Sequence, residues 1–354
     1  MPGPGWGAEA TGDPGSVHAP SQPSGRVPMP RQGAVLPFTR DPTGPNPMAK
    51  RALLLINRQA RRGRDLFAES VDLLSHAGFE ILALPMQAMQ DASTFILQQR
   101  ELLDLVVVGG GDGTLNTIVD ALVEARLPLG ILPLGTANDL ARTLGIPNSL
   151  PEACRTIAEG HIQSIDLGLV NGKFYFNVAS VGLSVTITQQ LSRALKRRLG
   201  ALAYAWTALK VLSRTRPFPA TIWVDGVSIS VNTIQIAVGN GRYYGGGMSV
   251  AHDAAIDDER LDLYSLEIQH GWQIIPLLWR LPKGRQGLLP WVRTLQGREI
   301  RLDTPRPHLI NTDGEITGST PAIFRVVPRA LDVFAPRPAA LPDGVSTPRE
   351  QPPP

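Results

Sequence analysis

Asp112 sits inside a glycine turn, Gly109-Gly110-Gly111-Asp112-Gly113-Thr114, directly after the apolar run Leu105-Val106-Val107-Val108. The run reads as a buried strand, and Thr114 to Leu122 reads as the start of a helix. A strand, a glycine turn and a helix N-terminus make an anion site, because free N–H groups and the helix dipole converge there. The glycines can take positive φ and let a ligand approach the backbone closely. Phosphate is the natural guest, but Asp112 would repel it unless a divalent cation lies between them. That combination points to a Mg-nucleotide. The fingerprint G-x-G-x-x-G fails, since Thr114 or Asn116 stands where its last glycine belongs, and no Gly-Lys-Ser/Thr follows for a Walker A loop. A ligand-free glycine turn is the plainer alternative.

Four further segments carry candidate chemistry. Leu134-Gly135-Thr136-Ala137-Asn138-Asp139 again follows a strand and opens a helix. Asn138 or Asp139 could simply cap that helix. Beside a phosphate turn on a neighbouring strand, Thr136 and Asn138 become donors to nucleotide oxygens. The loop Asn57-Arg58-Gln59-Ala60-Arg61-Arg62-Gly63-Arg64 suits polyphosphate or is a solvated basic loop. Asp257-Asp258-Glu259, within an acidic stretch, is either surface or an oxygen-ligand site for Mg²⁺ or Ca²⁺. Asn311-Thr312-Asp313-Gly314-Glu315 places two carboxylates around a glycine. It is a hairpin tip, or else Asp313 accepts a proton from a substrate hydroxyl while Glu315 orients it or helps hold metal. Phosphoryl transfer needs little more than positioned phosphates, a cation and such a base.

The elements that must position these residues change texture once. From Ala52 to about Gly160, strand candidates at 53–57, 79–84, 105–108 and 129–132 alternate with helical stretches at 64–76, 92–102, 114–125 and 151–158. That rhythm predicts a parallel sheet covered by helices. In such sheets ligands sit beyond the carboxyl ends of the strands, where both glycine loops would meet. From His161 the chain reads mostly β, with hairpin turns at Asn171-Gly172 and Asp225-Gly226. Strands are expected at 167–170, 174–179, 220–224, 227–231, 233–238, 261–268, 299–303 and 322–327, in an antiparallel sandwich or meander.

The 354 residues suffice for two domains. A net charge of +3 gives no case for nucleic acid. Cys154 is the only cysteine, which fits a reducing compartment and reads as a structural thiol. The six histidines form no zinc pattern. No apolar run reaches spanning length and the N-terminus lacks a signal pattern, so a cytoplasmic protein is expected, with contact at the inner membrane face left open. Residues 1–47 and 335–354, rich in Pro, Gly and Ser, are expected to be disordered, and Met48 could be the true start.

In this order the segments resemble the diacylglycerol kinase catalytic-domain family, which includes sphingosine kinases and bacterial lipid kinases. Gly109–Thr114 is similar to the family's nucleotide signature, Leu134–Asp139 to its second, and Gly239-Asn240 through Gly245-Gly246-Gly247 and Asp313-Gly314-Glu315 to its later blocks. The likeness covers about Ala52 to Phe334. It implies an α/β nucleotide domain over 48–165, Rossmann-like, and an antiparallel β-sandwich lipid domain over 166–319, with about 320–334 returning to the first. It implies an ATP-dependent kinase of a lipid hydroxyl, with Asp313 as general base, Asp112 organising Mg²⁺ through water, and Glu315 beside them. Asn57, Gly110, Gly111, Asp112, Gly113, Thr114, Asn116, Gly135, Thr136 and Asn138 would line the nucleotide. Asp257 and Asp258 fall where some bacterial members hold a structural Mg²⁺, although Glu259 replaces the usual glycine.

Leu191-Ser192-Arg193-Ala194-Leu195-Lys196-Arg197-Arg198-Leu199 has leucines at helical spacing and a basic opposite face. It reads as a core helix or as a membrane-surface helix beside anionic headgroups. Trp279-Arg280-Leu281-Pro282-Lys283-Gly284-Arg285 could share that face. The acceptor could be diacylglycerol-like, sphingoid or phosphatidylglycerol, and an exposed sandwich edge could pair two copies. An NAD or sugar kinase, or a non-catalytic nucleotide or lipid sensor, are the alternatives.

Overall fold

The computed structural model describes residues 49–57, 65–86, 89–190, 215–249, 254–270, 273, 276, 280 and 286–337. The basic loop after Asn57, the amphipathic stretch from Leu191, most of 279–285 and both chain ends lie outside these residues.

The first half alternates β1 (Arg51–Asn57), α1 (Asp65–His76), β2 (Glu80–Met86), α2 (Met89–Gln99), β3 (Leu105–Gly110), α3 (Asp112–Ala125), β4 (Leu129–Pro133), α4 (Asp139–Thr143) and α5 (Leu150–Glu159). Its strands run parallel in the order β2-β1-β3-β4. Every residue of β3 and β4 is buried, as a parallel sheet with helices on its faces demands. Cys154, on α5, is buried, and that burial pushes its thiol up to about 11, which suits packing rather than nucleophilic chemistry. Gly110 and Pro133 are register partners, so the loops after β3 and β4 start side by side.

The second half is built from β5 (Ile162–Val170), β6 (Lys173–Tyr175), β7 (Val178–Gly182), α6 (Leu183–Gln190), β8 (Phe218–Val224), β9 (Val227–Thr233) and β10 (Gln235–Gly239). There follow β11 (Tyr243–Tyr244), β12 (Met248–Ser249), β13 (Leu261–Leu266), β14 (Val292–Gly297), β15 (Glu299–Asp303), β16 (Leu309–Thr312), β17 (Glu315–Ser319) and β18 (Ala322–Phe334). An antiparallel sheet of order β14-β13-β10-β7-β16-β17 faces strands β18, β15, β8 and β9 across a buried core that includes Val181, Ile222, Ile236, Leu263, Ile300 and Phe324. The architecture is thus an α/β layer joined to an antiparallel sandwich.

The junction is continuous. Residues Ala322–Arg325 of β18 pair antiparallel with β15, while Val333 pairs parallel with Leu129 of β4. The parallel sheet therefore runs through β18 into one face of the sandwich. The turns at Asn171-Gly172 and Asp225-Gly226 both have positive φ at each central residue, the twist that two-residue hairpins prefer. The strand expected over 174–179 is instead broken between β6 and β7 at Phe176-Asn177.

Candidate active site

The phosphate-turn glycines do not work as expected. None of Gly109, Gly110, Gly111, Gly113 and Gly135 has positive φ. Close approach is what excludes a side chain at most of them. A Cβ on Gly109 would lie 2.9 Å from Ile56 Cγ1 and Leu134 Cδ1, and one on Gly110 2.6 Å from the Thr114 side chain. One on Gly111 would lie 3.1 Å from the Gly135 Cα, and one on Gly135 would overlap Gly111. The two glycine loops are pressed backbone to backbone. The Leu134 N–H donates to the Gly110 carbonyl at 3.1 Å. The Leu140 N–H donates to Asp112 Oδ1 at 3.0 Å and ties the start of α4 to the start of α3.

Asn138 makes no side-chain cap and is not a free donor either. Its Nδ2 donates to the Pro133 and Gly135 carbonyls at 3.1 and 3.3 Å, and its Oδ1 accepts the Gly135 N–H at 2.9 Å. With φ at 51°, it holds its own loop in shape. Thr136 is exposed at the tip of that loop. Asn116 is buried and its Nδ2 donates to the Thr312 carbonyl at 3.2 Å, so it braces the neighbour of Asp313. Thr114 is buried behind the turn. Asn57 ends β1, in register with Met86 of β2.

Asp313 occupies a hairpin tip with φ at 48°, followed by Gly314 at 96°. Its carboxylate turns back into the fold. Oδ2 accepts the Phe176 N–H at 2.7 Å, and Oδ1 accepts the Asn177 and Val178 N–H groups at 3.0 Å each. These are the residues where β6 breaks from β7, so the interruption frees donors for this carboxylate. Burial pushes the Asp313 carboxyl up to about 6, against the pull of the three N–H groups, and the charge of Asp112 adds to the rise. Asp112 and Asp313 therefore share one electrostatic region. Glu315 is exposed, and its Oε1 would lie 3.8 Å from a Cβ on Gly113. The glycine turn and the distant Asp-Gly-Glu hairpin are brought together.

The surroundings of Asp139 were only partly legible. Asp139, weighed from the sequence as a cap, is buried, and its Oδ2 accepts the Gly246 N–H at 2.8 Å. Burial raises its carboxyl, and Asp112 contributes. Gly245, Gly246 and Gly247 all have positive φ, and a Cβ on Gly247 would run into the Arg142 guanidinium. The clue was the carboxylate placed directly after Asn138. Asp166 was missed altogether. It is buried in β5, accepting the Glu259 N–H at 2.7 Å and the Arg329 N–H at 2.8 Å, both from residues in left-handed conformation. Its signal was a lone carboxylate inside the apolar run Ile165-Asp166-Leu167.

Two carboxylates of the turn region, Asp112 and Asp139, supply hard oxygen donors of the kind Mg²⁺ accepts alongside phosphate and water. Among the described residues no three His, Cys, Asp or Glu side chains gather to hold a metal by themselves, so a cation at the turn would depend on the phosphates for its remaining ligands. Among the described residues, Asp257 and Asp258 join no third such side chain in a cluster that could hold a metal ion. Asp257 accepts from Gln163 at 3.1 Å, and Asp258 accepts the Arg260 N–H at 3.1 Å and pairs with its guanidinium at 3.5 Å. The Glu259 carboxylate pairs with Arg298.

Residues 51–170 match the diacylglycerol kinase catalytic domain, and residues 177–335 match the YegS C-terminal NAD kinase beta sandwich-like domain. A diacylglycerol kinase of Staphylococcus aureus (strain JH9) is 29% identical over 296 residues, covering 82% of this chain and 93% of that protein. A solved candidate diacylglycerol kinase from Bacillus anthracis superposes with a TM-score of 0.70 at 26% identity, over 81% of this chain and 97% of its own. A diacylglycerol kinase structure from the same organism gives 0.66 at 24% identity, with the same coverage of 81% and 97%.

Proposed function

This chain belongs to the diacylglycerol kinase catalytic-domain family, a family of lipid kinases, and from that premise we propose that it transfers the γ-phosphoryl group of ATP to a lipid hydroxyl. The observation that carries the reading is the Asp313 carboxylate, fixed by three backbone N–H groups and sensing Asp112 at the start of α3.

The glycine turn and the N-terminus of α3 bind and orient the phosphates. Thr136, exposed on the adjacent loop, is available to the nucleotide. Asp112 would hold Mg²⁺, which neutralises phosphate charge when bound. Asp313 accepts the proton of the lipid hydroxyl as its oxygen forms a bond to the γ-phosphorus. The bond from that phosphorus to the β,γ-bridging oxygen breaks, and ADP leaves. A carboxyl near pKa 6 is a base matched to neutral pH, stronger than an ordinary aspartate yet still largely ionised. Glu315, exposed beside the turn, orients the acceptor.

No helix among the described residues is long and apolar enough to cross a membrane. We place the protein peripherally at a lipid surface on the strength of the basic, leucine-spaced stretch from Leu191. Mass spectrometry of a total lipid extract incubated with the protein and ATP tests the proposal. A lipid gaining one phosphate is the expected product. Phosphate gained only by NAD or a sugar would transfer the assignment to another kinase class.

A further inference from the structure

Three carboxamide or carboxylate residues of α3, Asp112, Asn116 and Asp120, recur every fourth position and so share one face of the helix. The first belongs to the glycine turn. The second reaches the hairpin of Asp313 through Thr312. The third is two helical turns from the first, about 12 Å along the axis. Asp120 Oδ1 accepts the Phe174 N–H at 3.1 Å, and Asp120 Oδ2 pairs with Lys173. Lys173 Nζ also donates to the Asn116 carbonyl at 3.0 Å.

Lys173 and Phe174 open β6, a strand of three residues hydrogen-bonded only to β5. Directly after it come Phe176, Asn177 and Val178, whose N–H groups grip Asp313. A strand so short is weakly held by its own ladder, and α3 packs against it. An exposed ion pair alone contributes little to stability. This one is half-buried and is joined by two hydrogen bonds to backbone, which fix where the helix lies along β6.

We propose that Lys173 and Asp120 are positioning residues that set the span between the glycine turn and the Asp313 carboxylate. Neither would touch substrate. They act through the cradle at residues 176–178, and the inference rests on the kinase reading for its catalytic consequence only.

The test uses the full chain with Lys173→Met, Asp120→Asn and the conservative Lys173→Arg. Asp120→Asn keeps an acceptor for the Phe174 N–H and serves where Lys173→Met folds poorly. Amide hydrogen exchange over 173–178 and 311–314 is read first, because it needs no turnover. Positioning by Lys173 and Asp120 predicts faster exchange confined to these segments in Lys173→Met and Asp120→Asn, and recovery in Lys173→Arg. Exchange equal to wild type overturns it, as does acceleration spread evenly over the whole chain. With phosphoryl transfer assayed, kcat should fall roughly 10- to 100-fold, the scale of a misplaced reacting group, with the KM for ATP within about twofold. A parallel rise in KM with unchanged kcat contradicts positioning. A wild-type chain that phosphorylates no lipid would overturn the kinase reading, while the exchange data still decide whether Lys173 and Asp120 position the cradle.

Discussion

A single carboxylate carries two opposed demands in Asp313. Burial holds its carboxyl near 6, above the 3.8 of a free aspartate. The native state therefore binds the proton more readily than the unfolded chain. The stability this contributes is fully present below 3.8 and is lost as pH rises through about 6. Activity should run the other way, because Asp313 in its proposed role as base must be ionised. We expect kcat/KM to climb as pH passes about 6, and thermal unfolding to show wild type losing ground to Asp313→Asn between 3.8 and about 6. A kcat/KM that stays flat as pH passes about 6 would remove Asp313 from proton transfer. Residue types were readable here, but their partners were not. Asn138 has the composition of a ligand donor, and only the folded loop reveals that its amide is bonded to Pro133 and Gly135.

At the scale of elements, the parallel half follows from alternation of apolar runs and helical periods, since each strand is buried on both faces and each helix on one. The antiparallel half was less legible. Between Phe174 and Ala179 only Asn177 interrupts the apolar residues, and it does not foretell that three N–H groups turn toward Asp313, more than a hundred positions away. β14, Val-Arg-Thr-Leu-Gln-Gly, is an edge strand with little apolar alternation, and it went unpredicted. β17 is another edge, mostly exposed or half-buried. The glycine loops give a prediction at this scale. Gly135→Ala must push the two loop backbones apart and should cost roughly 1–3 kcal/mol in urea unfolding, with nucleotide affinity lost. Gly113→Ala meets only Glu315 Oε1 at 3.8 Å and lies in the first turn of α3, so its stability should match wild type or gain up to about 1 kcal/mol. Equal costs for the two would mean that close packing of the loops is not what selects glycine.

For the whole molecule, the sequence motifs lie in stretches separated by up to two hundred residues, and β18 is the device that makes them one body. It pairs with β4 at one end and β15 at the other, so one face of the sandwich is an extension of the sheet that leads to Asp112, and the six-stranded face packed against it carries Asp313. The proposed docking to a lipid surface belongs to the same scale. Replacing Lys196, Arg197 and Arg198 together by glutamine should weaken binding to anionic vesicles, by about 1 kcal/mol per charge near the surface. Undiminished binding would remove that stretch from the membrane contact. The central claim is that the two halves present a base to a phosphate bound by the glycine turn. Turnover and ATP affinity measured side by side for wild type and Asp313→Asn test it most directly. The account predicts that the variant binds ATP nearly as well and phosphorylates lipid roughly 10²-fold more slowly or worse. Near-normal turnover in Asp313→Asn would contradict it.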